Sequence, residues 1–244
     1  MLEIQKVSKR YGAVQALSDV TFSVGPGEVV GLFGENGSGK TTLMKSILGL
    51  QSFKGKILLD GQPVTRSNAN RLSFASTEHS YFPFLTAADH EAYYAKHFPK
   101  FRRERYVMLT KFFEIPLNRP IGNLSYGIQS QMEVILALCQ GAEYILMDEP
   151  FVNYDLLNRE DFYKIILGLL EPDETILLST HLIEEVEGFI NRALLIHEGK
   201  LVDDISIETI EASGTSLIDF VKKTYGYQSD RVGQALAEIT GDIG

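Results

Sequence analysis

The sequence is poor in cysteine, in long apolar runs and in positive charge, and each shortage closes off a class of protein. A single cysteine, Cys139, among 244 residues has no partner within the chain, so no internal disulfide framework holds the fold. Placed at the end of the apolar run Val134 to Cys139, it reads as a small buried hydrophobe, which suits a reducing cytosol. No apolar stretch approaches the roughly 20 residues that a membrane-spanning helix needs. The opening residues Met1-Leu2-Glu3-Ile4-Gln5-Lys6 carry charges where a secretory leader has an apolar core. The chain is therefore expected to be soluble and to work at a membrane only through a partner. Lysine and arginine number 23 against 32 aspartates and glutamates, a formal charge of −9. Such a chain has no general attraction for nucleic acid or anionic lipid, so nucleic acid is not an expected partner and any phosphate must meet a local site. Internal repeats, low-complexity segments and sustained heptads are also missing.

What is present is an ordinary globular composition, 44% hydrophobic and 23% charged, long enough for a sizeable core. Leu2, Ile4, Val20, Phe22 and Val24 alternate with polar residues, the period of half-buried antiparallel strands. After the turn Gly25-Pro26-Gly27, Val29 to Phe33 is a continuous apolar run, as in a strand buried on both faces. A glycine-rich loop follows, then a helix over Thr42 to Leu50 and a strand with a tight turn over Lys56 to Gly61. From Thr86 to about Cys139 the pattern is helical: Thr86 and Asp89 make a capping box leading into Ala87 to Phe98, and Arg102 to Phe113 is a second amphipathic stretch. Buried strands then return at Tyr144 to Met147, Thr175 to Leu178 and Ala193 to Ile196, with helices expected over Asp155 to Leu170 and His181 to Ile190. Alternation of this kind predicts an α/β fold with a mainly parallel sheet. An antiparallel β subdomain is expected at the N-terminus, a helical insert over about 86–139, and a helical tail over 206–244.

Gly34-Glu35-Asn36-Gly37-Ser38-Gly39-Lys40-Thr41 fits the phosphate-binding pattern G-x-x-x-x-G-K-[ST]. Its glycines let successive backbone N–H groups converge on phosphates at the positive end of the following helix. Lys40 brings a mobile cation and Thr41 a hydroxyl able to ligate magnesium. The pattern lies between a buried strand and a helix, the context it requires. Tyr144 to Pro150 is an apolar strand ending in two acids. By itself that is often a solvated strand end. Beside a phosphate loop, Asp148 is suited to the magnesium shell and Glu149 to orienting and deprotonating water. Ser179-Thr180-His181 closes another buried strand, where a histidine reaches the nucleotide crevice of an α/β sheet. Leu124-Ser125-Tyr126-Gly127-Ile128 opens a helix, with Ser125 and the Gly127 backbone forming a potential anion site.

With these segments together, the chain resembles the ATP-binding cassette family over residues 1 to about 205. In that family two subunits sandwich two ATP molecules, and each signature segment meets the ATP held by the other subunit. The resemblance implies ATP and Mg2+ as cofactors and hydrolysis to ADP and phosphate. It assigns adenine stacking to Tyr11, the phosphate loop to Gly34 through Thr42, and the signature to Leu124 through Ile128. It further assigns magnesium to Thr41 and Asp148, catalysis to Glu149 together with Lys40 and His181, and the D-loop aspartate to Asp155. His181 to Val202 is similar to single-domain bacterial subunits of the ABC-2 type. The partners implied are transmembrane permease subunits and a second cassette, identical or not, with the chain on the cytoplasmic face of the membrane.

Three segments depart from the family. Thr77, followed by Glu78, stands where a glutamine is usual, so that residue's metal contact and coupling to the transporter are not carried over. Tyr126 replaces a signature glycine, with Gln129-Ser130-Gln131 where basic residues are common, and the D-loop reads Val152-Asn153-Tyr154-Asp155. Two function classes follow: an exporter's ATPase subunit, or a soluble cassette ATPase. DNA-repair members need a long coiled coil and translation members two cassettes; a cofactor-assembly ATPase stays open. A degenerate regulatory subunit conflicts with the intact Lys40, Asp148, Glu149 and His181. One segment bears on the choice. Tyr81, Phe82, Phe84, Tyr93, Tyr94, Phe98 and Phe101 either all pack into the core or leave several rings lining a groove for a helix of a membrane subunit.

Overall fold

The computed structural model describes residues 1–150 and 156–227. The alternating N-terminal segment forms β1 (Leu2–Tyr11) and β2 (Val14–Val24), antiparallel, with Leu2 opposite Val24 and Ile4 opposite Phe22. The apolar run becomes β3 (Val29–Phe33), buried throughout, and the glycine loop leads into α1 (Lys40–Ile47). This helix starts two residues earlier and ends three earlier than its apolar pattern predicts. β4 (Lys54–Leu59) and the short β5 (Gln62–Pro63) flank a turn in which Asp60 and Gly61 both have positive φ. Then come β6 (Leu72–Ser76), α2 (Ala87–His97), α3 (Arg103–Phe112) and α4 (Tyr126–Cys139). The capping box is present: Asp89 N donates to Thr86 Oγ1 (3.1 Å) and Thr86 N to Asp89 Oδ2 (3.0 Å).

β7 (Tyr144–Asp148), α5 (Leu156–Leu169) and β8 (Thr175–Ser179) follow. The helix expected over His181 to Ile190 shrinks to α6 (Ile183–Val186). Its apolar spacing is helical, but Gly188 is a poor helix former and the chain turns there to enter the next strand. β9 (Arg192–His197) continues into β10 (Lys200–Ser206), a strand that the sequence reading placed partly outside regular structure. The connection is a two-residue turn with positive φ at Glu198 and Gly199, the geometry that favours a tight hairpin. The tail contributes α7 (Ile207–Ala212) and α8 (Leu217–Thr224). The expected D-loop aspartate Asp155 lies outside the described residues.

Among the described residues the strands form a four-stranded antiparallel sheet, β2-β1-β4-β5, and a six-stranded sheet, β10-β9-β3-β8-β7-β6. The second is parallel except for its edge strand β10. Because side chains alternate across a strand, each central strand serves two cores. Val30, Leu32, Tyr144 and Leu146 pack with α1 and the antiparallel sheet, whereas Val29, Phe33, Ile145 and Met147 pack with α4 and the later helices. A sheet covered on both faces presents ligands only at its strand ends. In β3, β8 and β7, which are neighbours, the carboxyl ends are level: Leu32 pairs with Ser179, and Ser179 with Asp148.

Candidate nucleotide site

The loop after β3 wraps the first turn of α1. Gly39 caps that helix with φ 112°, and a Cβ there would lie 2.6 Å from the Ala16 carbonyl oxygen, so only glycine fits without a shift. Lacking a side-chain cap, α1 leaves its first N–H groups directed at the loop cleft. Lys40 folds back over the loop, its Nζ donating to the carbonyls of Gly34 (2.7 Å) and Glu35 (3.3 Å). Burial lowers the Lys40 pKa, and the negative charges of Glu149 and Asp148 oppose that shift. A ligand bringing phosphate charge therefore meets a cation whose own hydrogen bonds go to main-chain carbonyls. Ser38 is buried beneath the loop, its Oγ without a hydrogen-bond partner among the described residues.

Asn36, Gly37, Gly39, Lys40, Thr41, Thr42, Asp148 and Glu149 line one cleft of about 170 Å3, closed on one side by Ala16. Two of the acids arrive at the end of β7. Asp148 is buried, with Oδ1 accepting from Ser179 Oγ at 2.5 Å. Glu149 stands in the left-handed region, φ 50°, a conformation that costs a non-glycine residue roughly 1 kcal/mol or more. Its N–H is held by the Ser179 carbonyl and hydroxyl, both at 3.1 Å. His181 Nδ1 lies 2.9 Å from Glu149 Oε2 while the imidazole remains half exposed. Lys40, Asp148, Glu149 and His181 thus meet at one strand-end crevice, although up to 141 positions separate them.

Thr41 and Asp148 offer hard oxygen donors to this cleft. No group of three or more His, Cys, Asp or Glu among the described residues could cage a metal alone. That donor set fits magnesium, which takes one or two protein ligands and completes its shell with phosphates and water.

The remaining candidates lie outside the cleft. Tyr11 ends β1, its ring half exposed with Lys9 Nζ 4.8 Å from the centroid. Its hydroxyl donates to Gln51 Oε1, and Gln51 Nε2 donates to the Thr42 carbonyl at 2.7 Å. Gln51, which sequence reasoning missed, therefore ties the aromatic to the helix bearing the phosphate loop; a glutamine after a helix end gives no signal of this. Ser125 caps α4, accepting from Ile128 N at 3.4 Å, and sits with Gly127 away from the cleft.

Two of the three departures from the family pattern touch each other. The Tyr126 hydroxyl donates to the Thr77 carbonyl (3.2 Å), and its ring lies 5.1 Å from that of His79. Glu78 turns away to pair with Lys45 of α1 at 2.8 Å. Ser80 donates from N and Oγ to the buried Glu133 carboxylate of α4, at 2.7–3.0 Å. Burial raises the Glu133 pKa, and the Ser80 bonds oppose it. Gln129 and Ser130 are used internally: Gln129 accepts from Tyr81 Oη (2.7 Å) and donates to the Leu124 carbonyl (2.9 Å), and Ser130 Oγ donates to the Tyr126 carbonyl (3.0 Å).

The aromatic segment divides. Tyr81 is buried, and Tyr94 and Phe101 pack partly against the core. Phe82, Phe84 and Tyr93 are exposed, at 37%, 73% and 37%, and form a contiguous surface, with Phe82 5.2 Å from Tyr93 and 6.2 Å from Phe84. Burial pushes the Tyr81 phenol up to about 12. Among the described residues no helix is long and apolar enough to cross a membrane.

Comparison with known proteins agrees with this geometry. A family model described as ABC transporter matches residues 17–152. The ABC transporter ATP-binding protein NatA of Bacillus subtilis is 30% identical over 88% of this chain and 94% of its own length. The Nod factor export ATP-binding protein I of Burkholderia thailandensis is 28% identical over 99% of this chain and 84% of its own. The ribose import ATP-binding protein RbsA of Corynebacterium glutamicum is 26% identical over 98% of this chain, which spans only 49% of that relative. Among solved structures, a dimeric ATP-binding cassette in a post-hydrolysis state bound to ADP and Pi has a TM-score of 0.74 at 23% identity, over 85% of this chain and 99% of that one. That likeness is one of fold.

Proposed function

The chain belongs to the ABC transporter ATP-binding family, and from that premise we propose that it powers an exporter, acting as one of two cassettes beneath a pair of membrane permease subunits. It is an ATPase subunit of a transporter; the direction, the partners and the role of each residue are our reading. The observation that carries the residue roles is the meeting of Lys40, Asp148, Glu149 and His181 at the carboxyl ends of three adjacent parallel strands.

In this reading the backbone of residues 34–42 binds the phosphates of ATP. Lys40 exchanges the Gly34 and Glu35 carbonyls for phosphate oxygen, and its charge is stabilised as phosphate replaces a neutral partner. Thr41 and Asp148 would hold Mg2+, which when bound neutralises phosphate charge. Glu149 accepts a proton from the attacking water, held in place by its Ser179 bonds, and His181 orients the carboxylate through Nδ1. Tyr11 stacks on adenine. Ser125 and Gly127, remote from this chain's own cleft, serve the ATP of a second cassette. Phe82, Phe84 and Tyr93 supply exposed apolar anchors for a short cytoplasmic helix of a permease. Export is favoured because the relative named for export is matched over most of its own length, whereas the ribose importer is matched over about half.

Glu149→Gln retains shape but removes the base: ATP should still bind, turnover should fall roughly 100-fold or more, and the trapped protein should run as a dimer with ATP and magnesium. Ser125→Arg should abolish that dimer, and Lys40→Ala should weaken ATP binding itself. Parental turnover by Glu149→Gln would refute the assignment of the base. Mild-detergent purification from the native cell should bring down a permease. Recovery of no permease would refute the proposed partner.

A further inference from the structure

The C-terminal helices reach the phosphate loop from behind. α8 is capped by Ser216, whose Oγ accepts from Asp219 N at 3.2 Å, and buries Leu217 and Val221. It is anchored near the segment after His181 by Leu217 N donating to Glu187 Oε1 at 2.6 Å. At its end the Tyr225 ring lies 5.5 Å from that of His197, and the phenol oxygen sits 3.0 Å from the Phe33 carbonyl and 3.3 Å from the Ile196 carbonyl. Phe33 is the last residue of β3, beyond the final β3–β8 pair Leu32–Ser179, and the next residue is Gly34. Gly34 in turn lies so close to the Ile196 carbonyl that a Cβ would collide with it. One phenol thus bridges the two carbonyls that flank the start of the loop. Burial, reinforced by the charge of Glu35, holds that phenol well above the usual tyrosine range, so it remains a donor.

We propose that Tyr225 is a positioning residue for ATP: its hydroxyl fixes the Phe33–Gly34 junction and thereby aims the loop's backbone N–H groups at the phosphates. A loop that binds through its main chain cannot be stiffened by side chains of its own glycines, so its placement depends on neighbours. Tyr225 supplies one from 192 positions away in sequence. The inference rests on reading residues 34–42 as the ATP phosphate site.

Tyr225→Phe in the full chain retains the ring and removes only the hydroxyl. The Kd for ATP by calorimetric titration, and the KM of the ATPase, should rise roughly three- to tenfold, the worth of one hydrogen bond. kcat at saturating ATP should stay at the parent value, and Tm should fall only slightly, as for any single buried hydrogen bond. Val221→Ala, which trims a buried contact of α8, should lower Tm and leave Kd alone. Parental Kd and KM in Tyr225→Phe would overturn the proposal, as would a Kd that rises in Val221→Ala along with the fall in Tm. Lys40→Ala separates the two readings. If it weakens ATP binding while Tyr225→Phe does not, only the Tyr225 role fails; if it leaves ATP binding unchanged, the phosphate site itself is misplaced.

Discussion

Removing Glu174 should damage the fold more than removing the arginine it pairs with. Arg105 on α3 and Glu174, just before β8, are both almost fully enclosed and form a fork: each Nη lies 2.9 Å from one carboxylate oxygen. Arg105 also donates to the carbonyls of Leu138 (2.9 Å) and Leu169 (2.5 Å), at the ends of α4 and α5. Glu174 has further partners in Arg102 Nε (3.0 Å) and Glu171 N (3.0 Å). Glu174→Met leaves the buried guanidinium with two carbonyls and, at 3.7 Å, the half-exposed Glu171 carboxylate, which should cost about 3–5 kcal/mol. Arg105→Met leaves the carboxylate with Arg102 and a backbone donor, so about half that loss is expected. At about 2–4 °C per kcal/mol for a chain of this size, Glu174→Met should lower Tm by roughly 6–20 °C. The double variant should recover most of the loss, because well-packed apolar residues often replace a buried pair at little cost. Thermal melts followed by circular dichroism would measure all three, and the cycle would yield the coupling. Two single variants each within about 0.5 kcal/mol of the parent, or losses that simply add in the double, would refute the reasoning.

Thr77→Gln restores a side chain long enough to approach the cleft and should lower the magnesium needed for half-maximal ATPase, by up to about tenfold; an unchanged magnesium dependence would mean this position does not serve the metal. Phe84→Glu and Tyr93→Ser should leave ATP affinity intact while weakening co-sedimentation with membranes that contain the permease, by about 30-fold for a central anchor. Retention of both variants on such membranes would remove Phe82, Phe84 and Tyr93 from the docking surface.

Local pattern carried much of the fold. The strands Val29–Phe33, Tyr144–Asp148 and Thr175–Ser179 announce themselves because a strand covered on both faces must be apolar at consecutive positions. The cleft residues were legible for a similar reason: a phosphate loop needs its glycines and lysine at fixed short spacing, so Gly34 to Thr41 is complete within one stretch of chain. β10 was harder, since its alternation Leu201, Asp203, Ile205 is that of a half-exposed edge, and only Glu198-Gly199 marks the turn into it. Contacts across long separations left no pattern at all. Nothing around Tyr225 points to Phe33, and Arg105 and Glu174 each look like surface charges until α3 is laid over the ends of α4 and α5.

The family departures show where composition stops and geometry takes over. From sequence, Thr77 is the loss of a glutamine and Tyr126 the loss of a glycine, two unrelated defects. In the fold Tyr126 donates to the main-chain oxygen of residue 77, a contact indifferent to the side chain there. Glu133, four positions from Gln129 on the same helix, holds Ser80 of the same loop through a buried carboxylate. A buried carboxyl group accepting from both an N–H and a hydroxyl is a strong tether, and it runs from α4, the helix that Ser125 caps. The loop between β6 and α2 is therefore fastened to α4 at both Thr77 and Ser80. A displacement of α4 should carry that loop with it, and with it the base of the exposed Phe82 and Phe84 surface.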